Sequence, residues 1–201
     1  MIKLSPIILT CVGIAAAGIG FLFLSKYEFE TVWTYEQKYR SSILNLNGDE
    51  RIWQLRMESM KATTPDSPEL RAVSRTSVTK SLAVLKKVCG KIYKTDVRNG
   101  QYLNDFKRYC VKHNEDLIFG KNWTVIREGS PDNRQTLIDS KLASLQKHRK
   151  YLDRDLASIR DSSEDNREAL KRWCTKVLES LYEGSSSTRF LNFLDYYVDR
   201  N

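Results

Sequence analysis

Residues 81–94 read SLAVLKKVCGKIYK, and this stretch decides the fold class. Leu82, Leu85, Val88, Cys89, Ile92 and Tyr93 recur at helical spacing, while Lys80, Lys87, Lys91 and Lys94 follow one another by seven, four and three residues on the opposite side. A strand would alternate every second residue, so the segment predicts an amphipathic helix. The same period recurs outward from it. Tyr102, Leu103, Phe106, Tyr109 and Cys110 make a second stripe. Leu170, Trp173, Cys174, Val177 and Leu181 make a third, and Phe190, Leu191, Leu194, Tyr197 and Val198 a fourth after the Gly184-Ser185 break. Between Arg134 and Asp161, Ile138, Leu145, Leu152 and Ile159 keep strict seven-residue spacing, with Leu142 and Leu156 in complementary positions and Arg149 interrupting. That pattern predicts one long helix packed inside a bundle, three heptads being short for an intermolecular coiled coil.

Upstream, residues 27–45 read as a stalk or continuation helix, and Asn47-Gly48-Asp49 as a break. Residues 51–61 read as a short helix turning Ile52, Leu55 and Met60 inward. Ser67-Pro68-Glu69 combines a hydroxyl cap, a first-turn proline and a carboxylate at the positive end of the dipole, a good helix start. Residues 117–133 are the least helical, and Trp123-Thr124-Val125-Ile126 reads as an isolated strand or a docked loop. The expected class is therefore all-α, a helical bundle.

At the other end of the chain, Lys3 and Lys26 bracket residues 4–25, which carry no charge. At ~1.5 Å per residue this stretch is roughly 33 Å long, enough for a hydrocarbon core of ~30 Å. Its large apolar residues favour insertion by several kcal/mol, and Pro6 stands at the start, where a helix tolerates it. A cleaved signal peptide would exit at Ala15-Ala16-Ala17, but the apolar run continues through Phe21 to Leu24. A lipid on Cys11 would lack the usual small residue before it, and a buried core helix this apolar would need a larger protein around it. The segment is read as a single transmembrane anchor over residues 1–25, followed by stalk and linker helices over 26–66 and a helical-bundle domain over 67–201. Gly13 with Ala17 and Ala16 with Gly20 are small-residue pairs of the kind that allow weak self-association in a bilayer. The flanking charges do not fix which side the domain occupies.

Without Lys3, 32 basic residues stand against 25 acidic ones, and residues 70–95 hold seven basic residues and no acidic one. That segment carries the whole excess. Its face of Lys80, Lys87, Lys91 and Lys94 reads either as a solvated helix surface or as a strip for an anionic partner, lipid or acidic protein. Nucleic acid is disfavoured, because the interleaved aromatics of a single-strand binder are missing.

Chemistry-bearing motifs are scarce. Of two histidines, His113 follows Cys110 by three residues, but no second pair has ligand spacing, so no metal and no cofactor is expected. There is no phosphate loop, zincin motif or nucleophile elbow, and no catalytic residue is assigned. Cys89, Cys110 and Cys174 sit on apolar stripes and read as small buried hydrophobes; in an oxidising exterior two of the three would pair. Asn122-Trp123-Thr124 fits a glycosylation sequon, which matters only in a secretory eukaryotic setting.

The Gly/Ala-rich anchor, a domain of about 175 residues, the cysteines in LKKVCGKIY and FKRYC, and the late LKRWCTKVL resemble the paralogous families of membrane-anchored proteins in haemotropic mycoplasmas. The resemblance spans most of the chain through short motifs, with Cys89, Cys110 and Trp173-Cys174 as the matching positions, in structural roles. It implies no activity and no use for the sequon. It does imply surface display and a host-facing interaction. The expectation is a single-pass membrane protein with an extracellular domain that binds rather than catalyses. The alternative is a cytoplasm-facing protein whose basic helix engages anionic lipid or an acidic partner.

Overall fold

The computed structural model describes residues 32–75, 78–121, 123–126, 129, 134–148, 150–162 and 166–200. The anchor segment lies outside these residues. Among the described residues no helix is long and apolar enough to cross a membrane.

The chain folds as ten α-helices among the described residues: α1 (Tyr35–Lys38), α2 (Glu50–Ala62), α3 (Pro68–Ser74), α4 (Val78–Tyr93), α5 (Leu103–Tyr109), α6 (Asn114–Ile118), α7 (Gln135–Lys147), α8 (Arg154–Asp161), α9 (Asn166–Leu178) and α10 (Thr188–Tyr196). A two-stranded antiparallel sheet joins β1 (Trp123–Val125) to β2 (Val198–Arg200), with Thr124 opposite Asp199. Trp123 to Val125 is thus a paired strand, and its partner begins directly after α10, where helical periodicity had continued through Val198.

The apolar stripes close on two cores. The first gathers Trp53, Met57 and Met60 of α2, Leu70 and Val73 of α3, Leu85, Cys89 and Ile92 of α4, and Phe106 and Tyr109 of α5. Tyr35 and Leu44 are fully buried in it, so the segment expected as stalk and linker helices is built into this core. At roughly 1.5–3 kcal/mol per buried large side chain, that attachment is not loose. The second core gathers Ile138 and Leu145 of α7, Leu156 and Ile159 of α8, Leu170, Trp173 and Val177 of α9, and Phe190 and Phe193 of α10.

Several local expectations change for physical reasons. The single helix over 134–161 is two, because the chain leaves the helix at His148 (ψ 128°) and restarts at Asp153. Asp153 caps α8 through Asp155 N–H (3.1 Å) and accepts from Trp173 Nε1 and Arg189 Nε, both at 3.0 Å. Ser67 does flank α3 with Pro68 in its first turn, yet its hydroxyl makes no capping bond. The buried Asp105 carboxylate instead takes the N–H groups of Asp66 (2.9 Å) and Ser67 (2.6 Å).

Asp153 gives a test of the C-terminal core. Burial pushes its carboxyl up, but the bonds from Trp173 and Arg189 and the Arg189 charge outweigh that and leave it below the ordinary carboxylate range. A folded-state value below the unfolded one adds stability above the unfolded value, and this stability is lost as pH falls through the folded value. Asp153→Asn is therefore expected to flatten the loss of stability below about pH 4, measured by urea unfolding across the acid range. An unchanged acid slope would refute the assignment.

Three chain segments hold the two halves together. Residues 111–113 lie between 42–43 and 181–182, with Ile43 bridged to Val111 and His113 bridged to Leu181. Lys112 N–H donates to Ser42 O (2.7 Å), and Lys112 O accepts from Tyr182 N–H (3.0 Å). Ser42 Oγ donates to Tyr182 O (2.7 Å), and Asn114 Nδ2 donates to Val177 O (2.8 Å). Gly184, at φ +110°, passes so close to Ser41 that a Cβ there would stand 3.3 Å from its hydroxyl. The seam is made largely by backbone pairing, with Ile43, Val111 and Leu181 packed on the first core.

Candidate functional site

Two places gather charge without gathering partners. One is the α4 face. Lys87 and Lys91 are exposed on it and Lys94 follows in the turn that ends it; among the described residues no carboxylate pairs with them. Lys80 belongs to the first turn of α4, but its side chain lies outside the described structure. Lys86, on the flank, bonds Glu50 of α2 and is taken out of the strip.

The other place opens where the seam meets solvent. One hollow of about 360 Å3 is lined by Lys38, Tyr39, Arg40, Ser41, Ser42, Leu181, Tyr182 and Glu183. A second of about 530 Å3 is lined by Tyr39, Lys107, Arg108, His113, Glu179, Ser180, Leu181 and Glu183. Tyr39, Leu181 and Glu183 are common to both, so the hollows form one groove. Lys38 and Arg40 stand just before and after Tyr39, and Lys107 and Arg108 occupy the last turn of α5. No carboxylate among the described residues pairs with these four cations, whereas Glu183 is engaged by Arg189 at 3.8 Å. The groove is made of segments more than sixty positions apart (39–42, 107–113 and 179–183) and was not legible as a site in the sequence.

The sequence-predicted cysteines separate cleanly. Cys89 of α4 and Cys110, just after α5, form a disulfide with Cα atoms 5.4 Å apart, both fully buried. Cys174 of α9 is free and buried in the other core, where burial pushes its thiol far above the ordinary range. It has no thiolate to offer as a nucleophile. His113 is likewise structural: Nε2–H donates to Lys107 O (2.8 Å), one of the last-turn carbonyls of α5, while Nδ1 faces Arg56 Nη2 at 3.4 Å. His148 meets Tyr196 Oη through Nδ1 (2.5 Å) in the C-terminal half. Among the described residues no group of three or more His, Cys, Asp or Glu side chains is placed to hold a metal.

The described residues therefore offer a cationic, partly aromatic groove and a cationic helix face. No protein-family model, no curated protein and no solved structure matches the chain.

Proposed function

We propose that the chain is a membrane-anchored interaction protein whose helical domain is displayed on the outer side of the membrane and acts by binding. The observation that carries this reading is the buried Cys89–Cys110 disulfide, since such bonds persist in oxidising surroundings and are rare where thiol reductants act. The uncharged run over residues 4–25 supplies the tether, and the resemblance to the anchored families of haemotropic mycoplasmas points the same way. The seam groove is the place a partner would enter. Four unpaired cations against two carboxylates, with Tyr39 between the hollows, fit an acidic segment of another protein.

A second reading has one observation in its favour: among the described residues no carboxylate pairs with Lys87, Lys91 or Lys94, as expected if they met anionic lipid from the cytoplasmic side.

Shaving of intact cells carrying a C-terminal epitope separates the two. Protease added outside, together with an impermeant amine reagent for the exposed lysines, is expected to remove or label the domain while a cytosolic marker stays intact. An epitope left whole and unlabelled on sealed cells would sink the outward reading and favour the second.

A further inference from the structure

Val32 and Trp33 are 51 % and 52 % exposed, a large apolar surface on a stretch whose backbone is held in place. Trp33 O accepts Val97 N–H (2.9 Å), Tyr35 N–H donates to Thr95 O (3.1 Å), and Thr34 pairs with Asp96 in an antiparallel bridge. These bonds fix the backbone of residues 33–35 beside the turn that follows α4. Lys94 is two residues from Asp96, so its Cα lies within about 12 Å of that of Thr34, and the ammonium can reach further.

The exposed face of α4 continues the pattern. Val84, 40 % exposed, is followed at steps of three and four by Lys87 and Lys91 within an arc of about 60°. Asp96, beyond this end, is already chelated by Arg98 at 2.7–2.9 Å, and Glu69 lines a hollow with Lys91 without pairing with it. Exposed aromatic and aliphatic side chains among unpaired lysines are the chemistry of a membrane interface. Indoles settle at headgroup level, and lysine stems lie along apolar surface while their ammonium groups meet phosphate.

Covalent geometry adds the last element. Val32, the first residue of the face in the chain, follows Ser25, the end of the uncharged run, by seven residues, so the two are separated by no more than about 25 Å.

We propose that Val32, Trp33, Val84, Lys87, Lys91 and Lys94 form a docking face for the anionic lipid headgroups of the bilayer that holds residues 4–25. The inference rests on the anchored reading and holds for either side of the membrane. It gives the basic strip an occupant and leaves the seam groove for a protein partner.

The test uses the full chain in phosphatidylcholine vesicles, with and without phosphatidylglycerol, carrying bromine on the upper acyl chain. Trp53 and Trp173 are buried and Trp123 is half-buried, so only the part of the quenched signal that is lost in Trp33→Phe reports the docked indole. The expected result is strong Trp33 quenching that requires phosphatidylglycerol. Lys91→Ala with Lys94→Ala should lower the docked-to-free ratio roughly 30-fold at low salt. All three side chains are exposed, and unchanged thermal melting would show that the variants fold. A chain that resists alkaline extraction yet shows the same bromine quenching with and without Trp33 overturns the docking and leaves the anchor. Quenching indifferent to phosphatidylglycerol and to both lysines overturns the headgroup assignment. Stripping of the whole chain by alkali overturns the anchor, and the docking with it.

Discussion

Reduction of the Cys89–Cys110 disulfide, or replacement of both cysteines by alanine, is expected to lower the stability of the domain by about 3 kcal/mol. The two cysteines are 21 positions apart, and the cross-link removes the entropy of closing that loop from the unfolded chain. It joins the middle of the core-facing stripe of α4 to the end of α5, so the folded state needs both ends there regardless. For a domain of this size the loss corresponds to a fall in Tm of roughly 10 °C. The reduced wild type is the cleaner comparison, because it keeps both buried sulfurs and changes only the constraint. The alanine pair also loses packing volume and should melt lower still. Thermal melts with and without reductant decide the matter. Identical midpoints, with free thiols verified by titration, would mean that the loop is already restricted in the unfolded state.

The same bond shows how far the sequence alone reached. Placing Cys89, Cys110 and Cys174 on apolar stripes follows from spacing, and all three are buried. Which two pair does not follow from spacing, because all three occupy equivalent places on apolar stripes and only the fold puts Cys174 in a different core. The stripe of α4 was legible because its buried side, from Leu85 to Tyr93, carries no charge. That of α2 was not. Trp53, Met57 and Met60 face the core and Ile52 and Leu55 only partly, since the buried face includes Arg56, a residue that hydropathy assigns to solvent. The heptad over 138–159 located inward side chains correctly, with Ile138, Leu145, Leu156 and Ile159 buried. It did not reveal the break at 148–153, because a chain that turns back on itself can keep its apolar residues inward without keeping one helix. The seam was invisible for a different reason. Its bonds are largely backbone N–H to carbonyl, and those groups are the same in every residue.

Arg56 is where the seam meets the first core, and its removal is the second large effect. Its guanidinium donates through Nε (3.2 Å) and Nη2 (3.1 Å) to Val111 O and pairs with Asp116 of α6. The two side chains are 6 % and 1 % exposed. Asp116 in turn accepts His113 N–H (2.7 Å), so one buried carboxylate holds both the arginine and the start of α6. Truncating Arg56 to alanine leaves that carboxylate buried without its counter-ion and Val111 O without these donors. The expected loss is about 3–5 kcal/mol. Lysine keeps the charge but not the forked geometry, and Arg56→Lys should fall between wild type and alanine. Removing both charges, as Arg56→Met with Asp116→Leu, should recover much of the loss, because the penalty comes from the unpaired ion rather than from the missing attraction. The location of the damage distinguishes this role from general destabilisation. Hydrogen exchange should accelerate first at the amides of Lys112, Asn114 and Tyr182, which tie segment 111–114 to its neighbours in the seam, before the amides of α4 or α9. A loss below about 1 kcal/mol, or exchange rising equally everywhere, would remove Arg56 from the seam and leave the two cores joined by backbone pairing alone.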